Sequence, residues 1–132
     1  DHTFAEVVDL LYHSSGRVVV TGIGKSAAIG QKIVATFNST GTPALFMHAA
    51  EALHGDLGMI QKNDVVICIS KSGSSPEIKA LVPLILKGEN PLVGIVGDVK
   101  SFLAEKSNFV LDTTVKAEAC PNNLAPTTST TA

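Results

Sequence analysis

Arginine is nearly missing from this sequence. Arg17 stands alone among ten basic residues in a chain of 132. An anion held here cannot rest on several guanidinium forks, which grip phosphate or carboxylate with two parallel hydrogen bonds. Charge of any kind is scarce: 17% of the residues are Asp, Glu, Lys or Arg, and the net charge is −2. That balance excludes a basic nucleic-acid face, because binding a polyanion through its phosphates needs concentrated positive charge. Two cysteines, Cys68 and Cys120, are too few for a disulfide scaffold. No apolar run is long enough to span a bilayer. The first residues, Asp1-His2-Thr3-Phe4, lack the basic and apolar regions of a signal peptide. The expected setting is the cytoplasm, with neither a membrane nor a nucleic acid as partner.

Apolar residues are plentiful, at 45%, and with so little net charge they exclude disorder. The length suits one domain. Eleven serines and eleven threonines supply hydroxyls in place of guanidinium groups. No internal repeat is visible.

The order of elements follows from periodicity. Phe4, Val7, Val8, Leu11 and Tyr12 recur at spacings that define one helical face, with Gly16 as a stop. Residues 17–21 read as a buried strand and 26–40 as a helix. A second strand covers 43–47, and 49–54 form a short helical turn. Residues 64–70 make the clearest strand, with Cys68 as a small core residue. A helix follows over 76–87, where Pro83 predicts a kink or an early end. Strand 92–96, helix 101–106 and strand 109–112 complete the series. The strands are continuous apolar runs, as in a parallel sheet covered on both faces. The expectation is an α/β fold: five parallel strands in the flavodoxin-like order 2-1-3-4-5, with helices on both sides. In that order the crevice opens beyond the carboxyl ends of the first and third strands, so the loops after Thr21 and Ser70 should carry function.

The hydroxyl-rich residues 127–132 follow Pro126 and suit the start of a helix, yet none follows. The chain is therefore expected to be a single domain over 1–132, and a piece of a longer protein lacking C-terminal elements.

The first loop, Gly22-Ile23-Gly24-Lys25-Ser26-Ala27, joins a strand to a helix start. Glycines let backbone N–H groups approach an anion, and the helix start adds positive potential. A Walker loop would need glycine at position 19, which is valine. The dinucleotide pattern G-x-G-x-x-G/A matches in form, but the nearest acid to the end of the second strand, Glu51, lies beyond it. The third reading is a sugar-phosphate loop, with Ser26 on the phosphate and Lys25 on substrate oxygens. A lysine at a helix start opposes the helix dipole, so a purely structural reason for Lys25 is poor.

The second loop, Ser70-Lys71-Ser72-Gly73-Ser74-Ser75-Pro76-Glu77, is the most specific signal. Hydroxyls and helix N–H groups can wrap a phosphate without arginine. A structural alternative stands beside this: Ser74-Ser75-Pro76-Glu77 has the S-x-x-E form of a capping box, which would occupy Glu77 in holding the helix start. His48 and His54 flank Glu51 and precede Asp56. The two histidines are six apart and diverge on a helix, so they do not form a zincin site. His54 could be an acid–base or polarising group. Glu118 follows the last strand, and Cys120, beside Pro121, has no evident base.

Four blocks now stand in order: Gly22-Ile23-Gly24-Lys25-Ser26; His54-Gly55-Asp56-Leu57-Gly58-Met59; Ser70-x-Ser72-Gly73-x-Ser75; and Glu118-Ala119-Cys120-Pro121 with Leu124-Ala125-Pro126 and the hydroxyl run after it. Together, from about Gly16 to the end, they resemble the sugar isomerase (SIS) domain of D-arabinose-5-phosphate isomerases. The serine block alone would mark only the broader domain class.

The resemblance implies interconversion of D-ribulose 5-phosphate and D-arabinose 5-phosphate for Kdo and lipopolysaccharide synthesis. It implies a homotetramer with sites between subunits. The chemistry can be written without metal or other cofactor, and a nucleotide-sugar feedback ligand is expected as a further partner. Carried over by position, Lys25, Glu77 and Glu118 are active-site residues, and His48 and His54 match histidines near the substrate. Ser26, Ser70, Ser72 and Ser75, beside Gly24, match the phosphate-binding positions. Lys71 and Ser74 depart from the asparagine and glutamate common there. The resemblance also implies a further catalytic histidine, which the family carries C-terminal to the matched region, and the paired CBS domains of many members; neither is among these 132 residues. Isomerisation through a cis-enediol needs a carboxylate base and a cation facing the enediolate. Glu118 or Glu77 would be the base, and Lys25, assisted by His54, the stabiliser. A sensor domain that binds sugar phosphate without turnover is the alternative. Part of the apolar content is expected on surfaces that neighbouring subunits or further chain would cover.

Overall fold

The computed structural model describes residues 2–113. Helix α1 (His2–His13) leads into strand β1 (Val18–Gly22), then α2 (Lys25–Ser39), β2 (Ala44–His48) and the short α3 (Ala49–Ala52). A 3-10 turn over Asp56–Met59 precedes β3 (Val65–Ser70). Helix α4 (Pro76–Lys87), β4 (Leu92–Val96), α5 (Phe102–Lys106) and β5 (Phe109–Asp112) follow. The sheet order is β2-β1-β3-β4-β5 and every pairing is parallel. The expected class, order and two-sided covering are all present.

The two faces of the sheet carry separate cores. On one, Val19, Met47, Val66 and Cys68 meet Ile78, Leu81, Val82 and Ile85 of α4 and Leu103 of α5. On the other, Val18, Val20, Ile67, Ile69 and Val93 meet Val7 of α1 and a half-buried stripe of α2: Ile29, Ile33, Val34 and Phe37. This alternation across β1 and β3 is the strand period of two, and it makes the apolar runs continuous. Burial of the four α4 side chains contributes roughly 1.5–3 kcal/mol each. The strand residues of the second face are buried as well, but one side of α1 is left open. Phe4, Val8 and Tyr12, four residues apart along α1, are 57%, 46% and 82% exposed.

Pro83 does not end α4, since the helix continues to Lys87. The proline frees only the Lys79 carbonyl, and both residues lie on the exposed face, where water can take that carbonyl. The expected early end is thus corrected.

Arg17 has a role that the sequence does not disclose. It stands just before β1, and Asp64 stands just before β3. The Arg17 backbone N–H and Nε donate to Asp64 Oδ1 at 2.9 and 3.4 Å, and Nη2 donates to Oδ2 at 2.9 Å. Nη2 also donates to the Met59 carbonyl, and the Gln61 N–H donates to Asp64 Oδ2 at 2.7 Å. Asn90 Nδ2 then bonds both the Gln61 and Asp64 carbonyls at 2.9 Å. The single arginine therefore ties the amino ends of β1 and β3 together, at the end of the sheet opposite the crevice. Burial alone would raise the Asp64 pKa. The Arg17 side-chain bond, the two backbone N–H donors and the Arg17 charge outweigh it and hold that carboxyl below its ordinary 3.8.

Candidate functional site

Register decides which loops meet. Gly22 at the end of β1 pairs with His48 on one side and Ile69 on the other. Adjacent strands lie about 4.8 Å apart. The loop that carries Lys25 therefore leaves the sheet between His48 and the serine loop that begins at Ser70. This is the topological switch point anticipated from the strand order.

The first loop is shaped for close approach. A Cβ on Gly22 would sit 3.2 Å from both the Ile69 carbonyl and the Ser26 backbone, so glycine lets α2 begin hard against the sheet. Helix α2 starts after Gly24 with no side-chain cap, which leaves its first amides facing outward. Lys25 is exposed at the first helical position, and Ser26 is half-buried at the second.

In the second loop the serines divide their work. Ser70 is buried, and its Oγ accepts the Gly73 N–H at 3.0 Å. Ser72 Oγ accepts from Ser74 N–H at 3.4 Å. Ser75 caps α4, its Oγ accepting from Ile78 N–H at 3.4 Å. The Ser70 and Ser72 oxygens accept loop amides and the Ser75 oxygen an α4 amide, and each hydroxyl still has a proton to donate. Several O–H donors beside a helix start suit a phosphate. The capping box is corrected: the cap is Ser75, with Pro76 at the first helical position and Glu77 at the second. Glu77 is half-buried there and is not engaged in a box with Ser74. Ser74 Oγ instead accepts the Phe102 N–H at 3.1 Å.

His48 ends β2 and caps α3, its Nδ1 accepting the Ala50 N–H at 3.3 Å. Phe46 lies edge-on to it at 6.3 Å. His54 is exposed in the turn after α3, and its backbone N–H bonds the Glu51 carbonyl at 2.9 Å. Among the described residues no three His, Cys, Asp or Glu side chains form a metal-holding group, so the stretch from His48 to Asp56 does not gather into one. Glu118 and Cys120 lie outside the described residues. Burial pushes the Cys68 thiol up to about 12, so Cys68 is an inert core residue.

Two features escaped the residue patterns. The Thr21 hydroxyl, one position before Gly22, is fully buried and has no hydrogen-bond partner among the described residues. The segment from Gly97 to Leu103 braces the serine loop; a Cβ on Gly97, directly after β4, would sit 2.9 Å from the Lys71 carbonyl, so that glycine is the sequence signal for the close approach.

With this geometry in view, the family is settled by comparison. The SIS domain model matches residues 10–132, and the chain belongs to the SIS domain family. It is 51% identical over 135 residues to a Francisella tularensis protein named arabinose 5-phosphate isomerase KdsD, covering 100% of this chain and 41% of that one. A Pseudomonas aeruginosa protein of the same name is 52% identical over 128 residues, covering 97% of this chain and 39% of the relative. Among solved structures, the Escherichia coli CFT073 protein c3406 in complex with A5P overlays 98% of this chain and 69% of its own, with a TM-score of 0.95 and 45% identity. The chain spans about two fifths of the length of these curated relatives. No helix among the described residues is long and apolar enough to cross a membrane.

Proposed function

We propose that this SIS domain belongs to an aldose–ketose isomerase that interconverts D-ribulose 5-phosphate and D-arabinose 5-phosphate, in the synthesis of Kdo for lipopolysaccharide. One observation carries the reading: 98% of the chain overlays a protein solved with A5P. The crevice supports it with an uncapped helix start carrying Lys25 after β1, and a serine loop leading to Glu77 in the first turn of α4 after β3.

In the proposed reaction, Ser26, Ser70, Ser72 and Ser75 donate to the phosphate, with Gly24 allowing close backbone approach. A carboxylate, Glu77 or Glu118, takes the proton from the carbon next to the carbonyl. The electron pair moves to the carbonyl oxygen and forms an enediolate that Lys25 stabilises, assisted by His54. Protonation one carbon over completes the isomerisation. His48, its ring fixed by Ala50, faces the same end of the sheet. The chain is proposed as one SIS domain of a cytoplasmic homotetramer, which the exposed Phe4, Val8 and Tyr12 stripe on α1 supports as a surface needing cover. A nucleotide-sugar feedback ligand is proposed for the full-length protein.

Solvent deuterium exchange at substrate C2, catalysed by the full-length protein, tests the assignment. Glu77→Gln or Glu118→Gln is expected to slow exchange by roughly 10²–10⁴-fold. Wild-type exchange in both variants would remove both carboxylates from the base role. Binding of D-arabinose 5-phosphate with no exchange in the wild type would show a sensor instead.

A further inference from the structure

Three hydrogen bonds tie the serine loop to the connection between β4 and α5. The Gly97 N–H donates to the Lys71 carbonyl at 3.0 Å, and the Leu103 N–H donates to the Gly73 carbonyl at 2.9 Å. The Phe102 N–H donates to Ser74 Oγ at 3.1 Å. Only the last uses a side chain. Gly73 is buried with φ at +66°, and a Cβ there would overlap the Ser101 hydroxyl. The loop can therefore take this path only with glycine, pressed on the start of α5. That start is firmly seated: Ser101, Leu103 and Ala104 are buried, and Ser101 Oγ caps Ala104. Residues 71, 73 and 74 are bonded to this brace. Ser72, between them, is exposed, and Ser70 and Ser75 hold the two ends of the loop.

We infer that Ser74 is a positioning residue: its bond from the Phe102 amide latches the serine loop in a phosphate-ready shape without touching the ligand. The inference rests on the sugar-phosphate reading of that loop. Converging donors bind an anion well only if their geometry is fixed beforehand, because ordering a loose loop subtracts from affinity. The phosphate is remote from the carbons that exchange protons. Loosening the loop should therefore weaken substrate binding more than it slows the chemical step.

The position of Phe102 allows a clean test in the full-length protein. It is the first residue of α5, where proline is tolerated, and Ser101 is already extended at φ −71° and ψ 165°, as a residue before proline must be. Phe102→Pro removes the donor amide, and Phe102→Ala loses the ring but keeps the amide. Ser74→Ala removes the acceptor, and Ser74→Thr restores a hydroxyl. The readouts are KM and kcat for D-arabinose 5-phosphate, the melting temperature, and amide hydrogen exchange across residues 70–75. Ser74→Ala is expected to raise KM about 3–10-fold, the equivalent of one neutral hydrogen bond, with kcat changed by less than about twofold. Phe102→Pro should do the same relative to Phe102→Ala, the double variant should be no worse than either alone, and Ser74→Thr should recover KM. Exchange in the loop should rise in Ser74→Ala. Unchanged KM and unchanged loop exchange in Ser74→Ala and Phe102→Pro would overturn the latch. So would equal losses in kcat and melting temperature with KM unmoved. If the wild type does not bind D-arabinose 5-phosphate, the functional reading falls, and the hydrogen-exchange comparison alone decides whether the latch holds the loop.

Discussion

Replacing Asp64 by asparagine should reveal how much the lone arginine contributes to the fold. The substitution keeps the shape and removes the charge. In the native chain the carboxylate is 1% exposed and accepts four N–H bonds: three from Arg17 and one from Gln61. Breaking a buried ion pair from one side costs about 3–5 kcal/mol, because the remaining charge is stranded. The Arg17 side chain is 32% exposed and can recover some hydration, so a smaller loss, roughly 2–3 kcal/mol, is expected. Urea denaturation at a series of pH values measures this. The folded-state pKa of Asp64 is lowered, so its contribution is complete above the unfolded value of about 3.9 and is lost as pH falls through the folded value. The gap between wild type and Asp64→Asn should thus be widest near neutrality and narrow below about pH 4. A gap under about 0.5 kcal/mol at pH 7, within the usual range for an ordinary surface substitution, would refute the clamp. So would a gap of constant size down to strong acid.

Thr21→Val should leave stability unchanged or raise it by up to about 1 kcal/mol, since it removes a buried hydroxyl that has no described partner; a clear fall in the urea midpoint would show that the hydroxyl is engaged. Pro83→Ala should stabilise α4 by roughly 1–3 kcal/mol, as it returns an N–H to the Lys79 carbonyl, and a lower melting temperature would contradict the exposed-face argument. Ser70→Ala should weaken phosphate binding more than tenfold, because it removes both a donor and the anchor of the Gly73 amide; calorimetry with D-arabinose 5-phosphate checks this.

Much of the fold was legible because each strand is an unbroken apolar run. Residues 65–70 are a short, nearly all-apolar run, and with strands and helices alternating along the chain this pointed to a covered parallel sheet; strand order then located the crevice. The helix cap was a nearer matter. Ser74 and Ser75 both stand before the helix, and the S-x-x-E spacing favoured Ser74. Pro76 held the decisive signal, because proline prefers the first helical position and so makes the residue before it the cap. Pro83 was misjudged for a different reason: sequence shows that an N–H is lost, but not which face of the helix it leaves. Arg17 with Asp64 and Ser74 with Phe102 were illegible, being partners 47 and 28 residues apart whose meeting depends on the whole sheet.

The central claim is turnover of a pentose 5-phosphate. Incubating the full-length protein with D-ribulose 5-phosphate and following D-arabinose 5-phosphate tests it directly. Formation of the aldose, with solvent deuterium entering at its C2 when the reaction is run in heavy water, is the predicted result. Binding of the sugar phosphate without any aldose formed would contradict it.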